Sequence, residues 1–283
     1  MRSAPTLDAT GHVVTRDGVA LFHRDWGGRD AAPVVFLASW SLASDSWAYQ
    51  MTACRAAGLR PVAYDRRGHG RSADPGRGHD FDTLADDLAD VLEALDLRGA
   101  TLATYSAGAG EAVRYLTRHG AGRRVSRLVL VAPTTPLLAR TEDNPDGIDP
   151  AVFDAFVRDE MLRDWPLWLE ANARPFAGPG VSEAMLGWIK GMALQPSLQA
   201  FAEFHRALAR TDFRAELPRL GLPVLVVQGD ADATCPIDLT GRRTAALVPG
   251  AELRTYGGGP HGILFSHAER LSADLLAFAR GGG

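Results

Sequence analysis

The chain has two cysteines, one lysine and no apolar run long enough to cross a membrane. Each scarcity removes a class of explanation. Cys54 and Cys235 stand far apart and in no metal-like spacing, so neither a disulfide framework nor a zinc site is indicated. Cys235 reads as a small buried residue in its loop, with a reactive thiol as the alternative. Lys190 is the sole lysine among 30 basic residues, and the arginines are scattered. That points to a GC-rich genome and away from phosphate recognition. A net charge of −4 leaves no basic footprint for nucleic acid and no polybasic patch for a membrane surface. Residues 1–8 carry no apolar run after Arg2, so no signal peptide is visible. A soluble, cytoplasmic protein is expected.

What is present is an ordinary globular composition, 46% hydrophobic and 23% charged over 283 residues. That length suits one large domain or a domain with an insertion. No internal repeat or low-complexity run is visible apart from the terminal glycines. Residues 12–15 and 19–25 read as a hairpin turned at Asp17-Gly18. Further strands are expected at Pro33–Leu37, 61–64, 101–105, 126–132, 223–227 and 251–256, several of them continuous apolar runs that mark burial on both faces. Helices are expected at 45–57, 81–97, 237–247 and 267–280. The acidic residues of the second (Asp86, Asp87, Asp90, Glu93) read as a solvated face. Strands alternating with helices imply a mostly parallel sheet covered on both faces. Between 134 and 219 the alternation stops, in a helical, aromatic-rich segment broken by prolines. It reads as an inserted cap (134–219) on a core of 1–133 and 220–283.

Residues 101–120 organise the chemistry. A short β-prone run ends at Ser106 and passes into a helix with apolar residues at Ala109, Ala112, Val113 and Leu116, stopped by Gly120. A strand that turns directly into a helix at a serine is a nucleophile elbow. Its neighbours must be small, because the serine sits at a strained backbone angle. Here the pattern is Thr104-x-Ser106-x-Gly108. A serine hydroxyl needs a base to take its proton, and the base needs a third group to hold it. The loop after 223–227 offers Asp230 and Asp232, and the loop after 251–256 offers His261 between glycines. All three positions follow buried strands, where open α/β sheets place their sites, in the order Ser, Asp, His of an α/β-hydrolase. Spacing alone does not choose between Asp230 and Asp232. Oxyanion donors are expected from the N–H of Ala107 and from the loop after Pro33–Leu37, with Trp40 as the candidate. The Trp40 indole is also a candidate wall of the acyl pocket. His69, near another strand end, reads as part of a structural turn.

Several stretches together resemble one family over nearly the whole chain. They are Arg24-Asp25-Trp26-Gly27, Ser39-Trp40, Asp65-Arg66-Arg67-Gly68-His69-Gly70-Arg71-Ser72, Gly110-Glu111-Ala112-Val113-Arg114-Tyr115, Gly229-Asp230-Ala231-Asp232 and Pro260-His261-Gly262. The resemblance is to the bacterial aryl esterases and cofactor-free haloperoxidases (perhydrolases) of the α/β-hydrolase superfamily. It implies the α/β-hydrolase fold, a mostly parallel twisted sheet flanked by helices, with an inserted helical cap. It implies Ser106 as nucleophile, His261 as base, Asp232 as the orienting acid, and Trp40 and Ala107 as oxyanion donors. Three positions depart from the family. Ala38 stands where His is usual, Thr104 where the elbow has Gly, and Ser41 where relatives often carry Pro or Leu. In relatives a proline after the tryptophan accompanies the reaction with peroxide. Proline fixes φ and lacks an N–H, so Ser41 implies dominant hydrolysis and weak perhydrolysis.

The expectation is a serine hydrolase of carboxylic esters, with lactones as a second substrate class, working through an acyl-enzyme. No metal or organic cofactor is implied. Ser41, Tyr105, Trp165, Trp168 and Trp188 are the candidate pocket residues, and Phe201 and Phe204 join the cap residues expected to govern substrate size. The expected partner is a small-molecule ester or lactone. Neither nucleic acid nor a membrane is expected, and a homo-oligomer stays open. So do two other readings: a pathway-specific lactonase or C–C hydrolase acting on a bulky metabolite, and a non-catalytic binding protein on the same fold.

Overall fold

The computed structural model describes residues 4–281. The first three residues, part of the start read above as free of a signal peptide, and the last two glycines lie outside the described residues. In chain order the elements are β1 (Thr6–Leu7), β2 (Val13–Val14), β3 (Ala20–Leu21), β4 (His23–Asp25), β5 (Pro33–Leu37), α1 (Ala48–Ala56), β6 (Arg60–Tyr64), α2 (Phe81–Ala94), β7 (Ala100–Tyr105), α3 (Gly108–Arg118) and β8 (Val125–Val131). The helices α4 (Pro150–Ala155), α5 (Leu162–Ala177), α6 (Glu183–Ala193) and α7 (Leu198–Arg210) follow. Alternation then resumes with β9 (Val224–Gly229), α8 (Gly241–Leu247), β10 (Glu252–Tyr256), α9 (Ile263–Ser266) and α10 (Ala268–Ala279).

The main sheet runs β10-β9-β8-β7-β5-β6-β4. All its pairs are parallel except β4 with β6. Strand side chains alternate between faces, and that alternation builds two cores. Val35, Leu37, Leu102, Leu128, Leu130 and Val226 pack with α2 and α3 on one side. Val34, Phe36, Ala103, Tyr105, Val129 and Val227 pack with α1 and α10 on the other. The continuous apolar runs in the sequence are what such two-sided burial requires.

Three expectations are corrected here. The strand read over 19–25 is split at Phe22: β3 stays in the small antiparallel sheet with β2, and β4 crosses to the main sheet. The cause is local, since the Ser72 hydroxyl accepts the Phe22 N–H at 2.9 Å and the Phe22 carbonyl accepts the Asp65 N–H at 2.9 Å. The acidic face of α2 is only partly solvated. Asp87 is buried and bound by Arg67 through bonds of 2.7 and 2.5 Å. Asp90 is buried as well, accepting the Arg16 N–H at 2.7 Å. The helix expected from residue 237 is regular only from Gly241, after a turn closed by Leu239 N–H to Pro236 O.

Because the chain leaves β5 for β6 and returns to the other side of β5 as β7, the strand order reverses there. The register pairs Leu37 with Thr104, so the loop after β5 lies beside the turn after β7. Such a switch point is where doubly wound sheets leave a crevice at their carboxyl ends. The helices between β8 and β9 close over it. Trp40 of the β5 loop stacks on Phe201 of α7 at 4.2 Å between ring centres. On the far side, the Gly262 N–H donates to the Phe176 carbonyl of α5 at 2.8 Å. Within this excursion residues 156–161 are π-helical, and Asp164 breaks the helix at φ −158°, ψ 78°. Its carboxylate then accepts the Leu167 N–H at 3.0 Å, and Pro166 opens the resumed helix, where its missing N–H costs nothing.

Candidate active site

Ser106 has φ +54°, a left-handed conformation that a side chain rarely adopts. The start of the helix after it is tightly fitted against its neighbours. A Cβ on Gly108 would stand 2.9 Å from the Ala38 carbonyl oxygen, and one on Gly110 would stand 2.6 Å from Phe213. Thr104, in place of a glycine, is fully buried and donates its hydroxyl to the Val129 carbonyl of β8 at 3.2 Å. The larger residue is thus accommodated by a hydrogen bond across the ladder.

The His261 Nε2 lies 3.0 Å from Ser106 Oγ, and its Nδ1 lies 2.8 Å from Asp232 Oδ2. All three side chains are nearly inaccessible, at 4%, 2% and 4% exposure for Ser106, His261 and Asp232. Asp230, the other aspartate of that loop, is exposed and accepts the Gly258 N–H at 2.6 Å. The Asp232 carboxylate is saturated with donors. Its Oδ1 accepts the N–H groups of Thr234 (3.0 Å) and Cys235 (2.8 Å), and its Oδ2 also accepts Gln228 Nε2 at 3.0 Å. A buried carboxylate with this many donors keeps its orientation. Gln228 is itself fixed by the Gly241 N–H at 3.0 Å and the Cys235 carbonyl at 2.6 Å. Burial pushes the Cys235 thiol well up, so it is a packing residue and not a nucleophile. The Tyr105 hydroxyl donates to the His261 carbonyl at 3.1 Å, and burial pushes its ionisation well up too.

The loop after β5 is held by its carbonyls. Arg66 donates to Ala38 O and Ser39 O, each at 3.1 Å, while its other donors grip Glu111 Oε2 at 2.9 and 3.0 Å. Tyr64 OH donates to the other oxygen of Glu111. His69 Nε2 meets Trp40 O at 2.9 Å and its Nδ1 meets Arg67 O at 2.9 Å. Burial, reinforced by the Arg66 charge, pushes His69 down to about 4. Its ring is therefore neutral at pH 7 and donates to one of those two carbonyls. With the carbonyls turned to Arg66 and His69, the N–H groups of Trp40 and Ala107 have no protein acceptor among the described residues. Support that Ala38 cannot give comes from the Arg66–Glu111 pair, and His69 is more than a turn residue. Sequence reasoning quoted all three within motifs but gave none of them this role.

The pocket candidates separate. Trp165 lies 5.8 Å from Trp40 and 4.6 Å from Phe201, ring to ring, and Trp168 stacks on Trp165 at 5.0 Å. Ser41 follows Trp40 and is half-buried. Trp188 is elsewhere: it packs against Tyr49 and Phe265, each at 6.2 Å, on the seam of α6 with α1 and α9. Phe204 is fully buried against Phe81 at 5.4 Å and under the Arg66 guanidinium at 4.5 Å, so it belongs to the core. Phe156 and His205 were missed, and they face Trp40 at 5.9 and 5.0 Å. The signal for His205 was a polar residue on the apolar stripe of α7, four residues after Phe201. Phe156 carried no signal, because its direction depends on the π-helical turn. Among the described residues no group of three or more His, Cys, Asp or Glu stands in a metal-binding arrangement. No helix among them is long and apolar enough to cross a membrane.

Comparison with known proteins places these features in a family setting. Residues 32–268 match the family described as the alpha/beta hydrolase fold. A non-heme chloroperoxidase of Streptomyces lividans is 40% identical over 277 residues, 95% of this chain and 99% of that protein. A bifunctional esterase/perhydrolase of Acinetobacter calcoaceticus is 39% identical, again over 95% of this chain and 99% of that protein. The crystal structure of a bromoperoxidase from Bacillus anthracis superposes with a TM-score of 0.88 at 33% identity, covering 93% of this chain and 96% of that one.

Proposed function

The chain belongs to the alpha/beta hydrolase family, within its group of esterases and non-heme haloperoxidases, and from that premise we propose that it hydrolyses carboxylic esters through an acyl-enzyme on Ser106. The observation that carries the reading is the hydrogen-bonded chain Asp232–His261–Ser106, at 2.8 and 3.0 Å, on a left-handed elbow residue. His261 Nε2 takes the hydroxyl proton as Ser106 Oγ attacks the ester carbonyl, and returns it to the leaving alcohol. Asp232 holds the ring by Nδ1–H and stabilises the imidazolium. The unpaired N–H groups of Trp40 and Ala107 receive the oxyanion. Water, deprotonated by His261, then attacks the acyl carbonyl and releases Ser106. The residues do this chemistry without a metal or organic cofactor. Trp165 and Trp168 act as walls of the pocket under the helical cap, and Ser41 shapes the side from which the second nucleophile arrives.

Hydrogen peroxide can replace water at the same carbonyl, giving a peracid in place of the acid. The relatives named for haloperoxidase and perhydrolase activity make this the second reading. Ser41 keeps the loop's N–H and backbone freedom, so hydrolysis dominates and perhydrolysis is weak. The test is turnover of aryl acetates with and without peroxide. Ser106→Ala should lose several orders of magnitude in both reactions, and Ser41→Pro should raise the ratio of peracid to acid. A wild-type enzyme that brominates monochlorodimedone strongly with acetate and peroxide would contradict the weak-perhydrolase part. Retention of more than a few percent of esterase activity by Ser106→Ala would contradict the whole.

A further inference from the structure

Among the described residues, two imidazoles leave both ring nitrogens without a hydrogen-bond partner, His79 and His205. His79 has the Asp74 carboxylate 3.8 Å away. His205 is 9% exposed and is walled by the rings of Phe156 at 4.9 Å, Trp40 at 5.0 Å and Phe153 at 5.9 Å. Buried polar groups are normally paired, and an orphan asks for a partner that arrives from outside. The setting is a built one. The π-helical turn at 156–161 sets Phe156 against His205, Trp40 and Trp168 at once, and such turns recur at functional sites. The opposite end of Trp40 is the backbone N–H offered to the oxyanion. His205 therefore lies one indole ring away from the reacting carbonyl. Burial pushes it down to about 4, so at pH 7 it is neutral and presents one donor and one acceptor.

We propose that His205 is a specificity residue: it hydrogen-bonds an oxygen (hydroxyl or carbonyl) carried on an aromatic or otherwise planar part of the ester substrate, which packs beside the Trp40, Phe156 and Phe153 rings. This rests on the esterase reading. The substrate class is an oxygenated aryl ester, with the oxygen several bonds from the scissile carbonyl on either the acyl or the alcohol side. Discrimination comes from the pair itself, because a substrate lacking the oxygen leaves the buried nitrogens unpaired.

The test uses two matched pairs: methyl phenylacetate with methyl 4-hydroxyphenylacetate for the acyl side, and phenyl acetate with 4-(hydroxymethyl)phenyl acetate for the alcohol side. Wild type should prefer the hydroxylated member of one pair by about tenfold in kcat/KM. His205→Phe should erase that ratio, and His205→Gln, which keeps a donor and an acceptor, should restore part of it. Cooperative unfolding and fluorophosphonate labelling certify that each variant is folded. Absence of preference in both pairs, or a preference that survives His205→Phe, would overturn the proposal. If no ester were turned over, the esterase reading would fail by itself. His205 would then be read by the Kd ratio of 4-hydroxyphenylacetate to phenylacetate, and of 4-(hydroxymethyl)phenol to phenol. Equal ratios in wild type and His205→Phe would again refute it.

Discussion

Replacing Glu111 by Gln separates the support of the oxyanion loop from the chemistry it serves. The Arg66 guanidinium is 4% exposed and Glu111 1% exposed, and two bonds of 2.9 and 3.0 Å join them. Removing one partner of a buried pair leaves the other charge uncompensated, at a cost of about 3–5 kcal/mol. The amide keeps one acceptor oxygen, so about 3 kcal/mol of lost stability is expected. A domain has about 5–15 kcal/mol in all, so the variant should fold. Its second effect is local. Arg66 drawn toward a weaker partner loosens its 3.1 Å bonds to Ala38 O and Ser39 O, and with them the placement of the Trp40 N–H. Complete loss of an oxyanion donor costs about 10²–10³ in kcat, so a loosened one should cost at least about tenfold. Urea unfolding reads the first effect, and kcat on 4-nitrophenyl acetate at saturating ester reads the second. Stability within about 1 kcal/mol of wild type, together with an unchanged kcat, would refute the reasoning. A destabilised variant with normal kcat would show that the pair holds the fold and not the loop.

Other consequences can be measured separately. Burial takes His205 from 6.5 to about 4 in the folded chain, so the unfolded chain binds its proton first as pH falls. Stability is then fully present above pH 6.5 and is lost toward pH 4, with about 2 kcal/mol gone by pH 5. His205→Phe should reduce by that amount the difference between urea unfolding free energies at pH 7.5 and 5.0; an unchanged difference would mean that His205 is protonated in the folded state. Gly110→Ala should destabilise by about 1–3 kcal/mol, because its Cβ would meet Phe213 at 2.6 Å and Phe81 at 2.7 Å, and a Tm equal to wild type would contradict that packing. Trp165→Ala should change acyl-chain preference in a series of 4-nitrophenyl esters while Trp188→Ala should not, and the reverse result would mean that the pocket lies under α6.

How much of this was legible depended on whether the information was local. Pro33–Leu37 and Val224–Gly229 announce themselves because two-sided burial leaves no room for a polar alternation. The elbow is legible because a strained serine permits only small neighbours, and Gly108 is forced by the Ala38 carbonyl. Ser106, His261 and the loop holding Asp230 and Asp232 could be placed at strand ends from the alternation alone, and the family resemblance chose Asp232. Their distances could not, since they come from positions 126 and 29 residues apart. Asp87 and Asp90 were misread because their arginine partners lie 20 and 74 residues away, and a helix shows its charges but not their partners. The helical segment between β8 and β9 was the least legible part. Composition put tryptophans there, but the break at Asp164 and the π-helical turn decide which of them look at Trp40. The packing of Trp188 on Tyr49 and Phe265, and of His205 on Trp40, was hidden for the same reason.

The most direct measurement on the central claim is covalent. A fluorophosphonate probe incubated with wild-type protein, followed by proteolysis and mass mapping, should give one adduct per chain on the peptide holding Ser106. Labelling should be absent in Ser106→Ala and slowed by orders of magnitude in His261→Ala, where no base removes the hydroxyl proton. An adduct on another residue, or none at all in a preparation that hydrolyses esters, would contradict Ser106 as the nucleophile.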